Sequence, residues 1–149
     1  MSGIPAFGQV FELSLPRTAP GRDVVVELSI TSPSGREPSA LQWEISFPTV
    51  QIRLIKGSPQ LGPVAQAADK LITCAPRAKT SETQTMVCLV LGGQKSIASG
   101  VVAKFSFEIQ KPAPSETARV RIDRGLAVSA DLKRADIPSV EAEVALGGK

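Results

Sequence analysis

Apolar and polar residues alternate with period two along most of this chain, the mark of strands that bury one face. In VVVELSI, Val24, Val26, Leu28 and Ile30 share one side while Val25, Glu27 and Ser29 share the other. LQWEISF sets Leu41, Trp43, Ile45 and Phe47 against Gln42, Glu44 and Ser46, and its bulky members predict the centre of a core. VQIRLI groups Val50, Ile52 and Leu54. VVAKFSFEI groups Val101, Ala103, Phe105, Phe107 and Ile109 against Val102, Lys104, Ser106 and Glu108. ARVRID and VEAEVAL continue the pattern near the C-terminus.

Between these runs stand turn signals: PRTAPGRD at 16–23, TSPSGREPS at 31–39, KGSP at 56–59, GGQKSIASG at 92–100 and KPAPSE at 111–116. Half-buried strands at short spacing, parted by Pro and Gly, predict an all-β, antiparallel sandwich of eight or nine strands in two packed sheets. Only GPVAQAADKL at 62–71 has helical character, with Pro63 near its start, and it predicts one short helical crossover.

Composition narrows the function. A chain of 149 residues reads as one domain spanning 1–149, large enough to fold on its own core. The start MSG and the end GGK fit a module excised from a larger secreted protein. Seventeen Lys and Arg against 14 Asp and Glu leave a net charge of +3, scattered along the chain, so no nucleic-acid partner is expected. No apolar run is long enough to predict insertion in a membrane, and no signal peptide is visible at MSGIPAFGQVF.

The chain has no histidine and no tyrosine. Without histidine a Ser or Cys nucleophile would need Lys or a carboxylate as its base, and neither GxSxG nor SxxK occurs. Glu44, Glu108 and Glu141 sit on outward strand positions, where carboxylates are solvated surface more often than an acid/base pair. No catalytic residue and no cofactor is therefore expected. Asp123, Asp131 and Asp136 lie in DRGLAVSADLKRADIP without a calcium-loop pattern and read as turn and cap residues, so no metal site is expected either. Phe7, Phe11, Phe47, Phe105, Phe107 and Trp43 fall mostly on apolar faces, which leaves no flat aromatic platform for polysaccharide.

Cys74 and Cys88 are the only cysteines, too few for a zinc site without histidine. LITC and MVCLVL read as neighbouring strands joined through PRAKTSETQT, so the two thiols can lie across from each other. A bridge there would stabilise the fold by about 3 kcal/mol in the chain-entropy model and imply an oxidising compartment. The alternative is a pair of buried, reduced cysteines acting as small hydrophobes.

The order of segments resembles the bacterial cohesin-like modules, from about Val10 to Leu146. APGRDVVVELSI is similar to the family's "APGDTVTVPV", ALQWEISFP to "GLQFDLSYDP", SIASGVVAKFSFEI to "GxGVLATLTFKV", and LAVSADLKRADIPSVEAEVAL to the closing "SDANGNEIPVTVTDG". The resemblance implies a nine-stranded jelly-roll sandwich that is secreted or held at the cell surface. It implies a non-catalytic receptor for a protein partner, dockerin-like or on a cell surface, with polysaccharide binding as the alternative because carbohydrate-binding modules share the superfamily. It places the partner face around 50–55, 71–75, 86–91 and 101–109, with Arg53, Lys70, Thr73, Lys104 and Glu108 as candidate contacts and no apolar recognition patch evident among them.

Overall fold

A computed structural model of the chain describes residues 8–15, 23–110 and 116–146. In chain order these residues form β1 (Val10–Ser14), β2 (Asp23–Thr31), β3 (Ala40–Pro48), β4 (Ile52–Leu54), β5 (Gln60–Leu61), α1 (Pro63–Ala67), β6 (Leu71–Lys79), β7 (Thr83–Leu91), β8 (Gly100–Ile109), β9 (Thr117–Val128), β10 (Arg134–Ile137) and β11 (Val140–Ala145). They build two sheets whose strand pairs are all antiparallel. One runs β1-β2-β8-β4 with β5 also on β8, the other β10-β9-β3-β7-β6 with β11 also on β9. The result is the expected all-β sandwich with one short helix. Turn signals at 16–22 and 111–115, like Phe7, lie outside the described residues.

The inward faces are those that the alternation marks. Val26, Leu28 and Ile30 of β2, Leu41, Trp43, Ile45 and Phe47 of β3, and Phe105, Phe107 and Ile109 of β8 are all buried. Trp43 meets Phe11 and Phe105 edge-on at 5.9 and 6.3 Å between ring centres, and Phe47 meets Phe107 at 5.0 Å. These contacts cross from one sheet to the other, so the aromatic cluster locks the two layers together.

Departures from strict alternation have local causes. Val50 is 54% exposed and sits in a turn, because the chain reverses after β3 with the Gln51 amide donating to the Pro48 carbonyl; β4 begins only at Ile52. Val102 is buried although its parity points outward. Leu28 pairs with Ala103 and Ser29 with Val101, so Val102 is the extra residue of a β-bulge and turns into the core. The segment PRAKTSETQT is mostly strand rather than connection. β6 continues to Lys79 and β7 starts at Thr83, closed by Thr80, whose Oγ1 accepts from the Glu82 and Thr83 amides at 3.1 and 2.9 Å. Pro76 is tolerated there because β6 is an edge strand with a register shift between Pro76 and Ala78.

β9 is longer than the ARVRID pattern predicts, and it changes partner midway. β11 pairs with 117–122 of it and β10 with 125–128. Between them Arg124 adopts φ 52°, and the β3–β9 register shifts between Gln42 and Glu44. That bulge bends the strand and re-aims its second half. β5 and β10, with two and four residues, are held by pairing with long neighbours and are too short for alternation to reveal them.

Candidate functional site

Cys74 lies directly opposite Cys88 on β6 and β7, and the two form a disulfide with 4.1 Å between Cα atoms. Cys88 in turn faces Trp43 on β3, so the bridge points into the core. With Cys74 inward, Leu71, Thr73 and Ala75 must point outward. The bridge therefore pins an edge strand whose outer face is presented to solvent.

Reduction is expected to lower stability by about 3 kcal/mol, the chain-entropy value for a loop of about 15 residues. Urea titrations with and without a phosphine reductant should show a lower midpoint at nearly constant slope. Two freely alkylated thiols in non-reduced protein would remove the premise.

The outer face of the six-stranded sheet follows from register. Leu71 faces Leu91; Thr73, Leu89, Gln42 and Leu126 form the next row across β6, β7, β3 and β9; Ala75, Val87 and Glu44 form the row after it. Leu71 is 72% exposed and Leu91 47%, with Leu89, Val87 and Leu126 half-buried beside them. One half of this face is thus an apolar patch. Large apolar side chains grouped outside a core mark an interaction site far more often than scattered ones do.

The other half is charged. Glu44 receives Arg77 at 3.1 Å and Arg124 at 3.7 Å. Arg121 holds Asp123 at 2.9 Å and Glu141 at 3.4 Å, while Arg119 reaches Glu141 and Glu143 at 3.7 and 3.5 Å. Burial works to raise the pKa of Asp123, but hydrogen bonds from Ser139 and Arg121 outweigh it and hold the carboxyl below the usual aspartate range. The same carboxylate, by its hydrogen bond and its charge, raises the Arg121 guanidinium. Exposed pairs of this kind add little stability each, yet as a ladder they fix the positions of charges around the patch.

Of the five candidate contacts, Thr73 lies on this face, beside Leu89. Arg53, Lys104 and Glu108 belong to the outer face of the five-stranded sheet. There Arg53 pairs with Glu108, its register partner, and the Lys104 ammonium lies 3.9 Å from Glu27. Lys70 is only 3% exposed, and its Nζ donates to the carbonyls of Gly92 and Gly93 at 2.7 and 3.4 Å. Burial lowers its basicity and the Asp69 charge partly restores it. The five residues therefore do not share one surface. The resemblance does not mark this apolar patch, although MVCLVL carries a signal of it. Val87, Leu89 and Leu91 are apolar on one parity while Cys88 and Val90 are apolar on the other, and a strand with two apolar faces needs cover on both.

Among the described residues no group of three or more His, Cys, Asp or Glu could hold a metal ion, and no helix is long and apolar enough to cross a membrane.

No protein-family model matches this chain, and no curated protein matches it. Solved structures do. The sixth cohesin of Acetivibrio cellulolyticus scaffoldin B, in complex with a mutant Cel5 dockerin, is 17% identical, with 93% of this chain and 98% of that one covered at a TM-score of 0.66. The cohesin module of a Clostridium perfringens family 33 glycoside hydrolase is 11% identical over 93% and 96% of the two chains, at 0.69. A non-cellulosomal cohesin from the archaeon Archaeoglobus fulgidus is 9% identical over 92% and 91%, at 0.62. At such identities the likeness establishes the fold, which is that of a cohesin module.

Proposed function

We propose that this chain is a non-catalytic protein-recognition module, secreted or displayed at the cell surface, that captures a partner through the outer face of its six-stranded sheet. The observation that carries this reading is the outward-facing cluster Leu71, Leu91, Leu89 and Val87, an apolar centre bordered by the Glu44 and Arg121 ion-pair ladders. Binding faces have this anatomy, with an apolar middle and a polar rim. A dockerin or a similar small surface protein is the partner class, since structures that share this fold include cohesins solved with dockerins. The Cys74–Cys88 bridge supports an oxidising compartment.

The test uses the whole chain against a panel of dockerins and against polysaccharides. A partner found there should lose at least roughly thirtyfold in affinity to the double variant Leu71→Asp, Leu91→Asp, the loss expected from removing a hot spot. Charge reversal at Arg53 and Lys104 on the opposite sheet is the matched control and should change little. Binding lost only in that control would move the partner to the five-stranded sheet. Specific retention on polysaccharide, unchanged by the leucine variants, would replace the reading with a carbohydrate-binding one.

A further inference from the structure

The six-stranded sheet ends at β6, and among the described residues no strand pairs with its outer edge. Such an edge carries a row of backbone groups facing solvent, and folded chains usually guard it with charge or proline. β6 is guarded along only part of its length. Pro76, Arg77 and Lys79 stand in its second half, whereas the run from Leu71 to Ala75 carries no charge, with Leu71, Thr73 and Ala75 exposed.

The Cys74–Cys88 pair fixes which backbone groups of that run are free. Its Cα atoms stand 4.1 Å apart, the spacing of a non-hydrogen-bonded antiparallel pair and not of the wider hydrogen-bonded one. The hairpin end agrees. The Thr80 amide donates to the Thr83 carbonyl, and counting along β7 from Thr83, every second residue bonds β6 and Cys88 falls on an unbonded position. Leu71, Thr73 and Ala75 therefore direct their amides and carbonyls to β7, while those of Ile72 and Cys74 point to the open edge. Pro76, next in this phase, has only a carbonyl to offer.

We infer that β6 pairs edge to edge, antiparallel, with β6 of a second copy of this chain, about a two-fold axis at Thr73. In that register Ile72 faces Cys74 of the second copy, twice by symmetry, and each pair exchanges two amide–carbonyl bonds, so every free group of Ile72 and Cys74 is matched. Thr73 faces Thr73 of the second copy, and Leu71 lies against its Ala75. Sliding the register one way sets Ile72 against Pro76, which has no amide to give. Sliding it the other way sets Cys74 against Lys70, whose amide already donates to the Ala65 carbonyl at 3.1 Å. Charge selects the antiparallel sense, because it holds Arg77 and Lys79 of the two copies at opposite ends, where a parallel pair would stack them. The pairing also covers the half-buried flanks of Ile72 and Cys74. It uses the edge of the sheet and not its outer face, so it is separate from the partner capture proposed above, although Leu71 borders both.

Sedimentation equilibrium of the whole, oxidised chain tests this. A monomer–dimer equilibrium with a dissociation constant of about 0.1–1 mM is expected, the weak range of a small interface. Amide exchange followed by NMR should slow at Ile72 and Cys74 as concentration rises, while Thr73, bonded to β7, is slow throughout. Thr73→Lys and Thr73→Glu, on an exposed side chain, should each weaken the dimer about threefold to fivefold by setting like charges against each other. An equimolar mixture of the two variants should recover the native affinity, because a two-fold axis at Thr73 sets residue 73 against itself. Leu91→Asp, which disables the apolar face one strand further in, should leave the dimer intact, so the two readings fail separately. A monomer at every concentration, a dimer indifferent to both Thr73 variants, no recovery on mixing, a dimer lost in Leu91→Asp, or Ile72 and Cys74 amides that exchange alike at every concentration would each overturn the pairing.

Discussion

Truncation of Trp43 to alanine is expected to lower the unfolding free energy by about 4 kcal/mol, the loss typical of a large aromatic removed from a core. Trp43 is fully buried, touches Phe11 and Phe105 from the opposite sheet, and faces Cys88 across β3 and β7. Its neighbours sit on paired strands, so the space left behind closes only in part. A sharper result comes from Trp43→Phe. The indole Nε1 is buried without an acceptor, and an unmade bond of that kind already costs the native state about 1–3 kcal/mol. Removing the orphan group offsets part of the lost volume, so Trp43→Phe should cost less than half of what Trp43→Ala costs. Circular dichroism in urea is the measurement, since Trp43 is the only tryptophan and both variants lose the fluorescence signal. Equal costs for the two variants would mean that Nε1 is bonded in solution.

Gly62→Ala is expected to cost about 3 kcal/mol, at the upper end of overpacking effects. A Cβ at Gly62 would lie 2.2 Å from the Val101 carbonyl oxygen and 2.6 Å from its carbon. Those atoms are backbone of β8, and the Gly62 amide is itself bonded to the Val102 carbonyl at 2.8 Å, so neither side can give by rotating a side chain. Gly57→Ala is the contrast. Gly57 has open space around its Cβ position but φ +91°, a conformation unfavourable for alanine by roughly 1–2 kcal/mol. Chemical denaturation of the two variants separates close approach from backbone strain. A Gly62 variant no worse than the Gly57 variant would show that the helix and β8 can part without loss.

The strands of highest apolar contrast were legible residue by residue. β2, β3 and β8 occur where VVVELSI, LQWEISF and VVAKFSFEI mark them, because each buries one face in a common core and period two is the geometry of that burial. Boundaries were less legible wherever pairing rather than burial sets them. β6 and β7 extend through polar residues since hydrogen bonds to a neighbour hold a strand whether or not its side chains are apolar. β10 is set by its pairing with the second half of β9, past Arg124, rather than by a long apolar face of its own.

The candidate site divides in the same way. The sequence by itself determined the fold class, the short helix at Pro63, the absence of histidine chemistry and the place of the two cysteines on adjoining strands. These depend on local periodicity and on which side chains the chain contains. Only the tertiary structure decided which outward residues meet. It put Arg53, Lys104 and Glu108 on one sheet and Thr73 on the other, drew Lys70 inside to cap two glycine carbonyls, and set Leu71 against Leu91 to make an apolar patch. Outward parity is a property of one strand, whereas a surface is a property of strand order, and strand order is fixed by contacts between residues far apart in sequence.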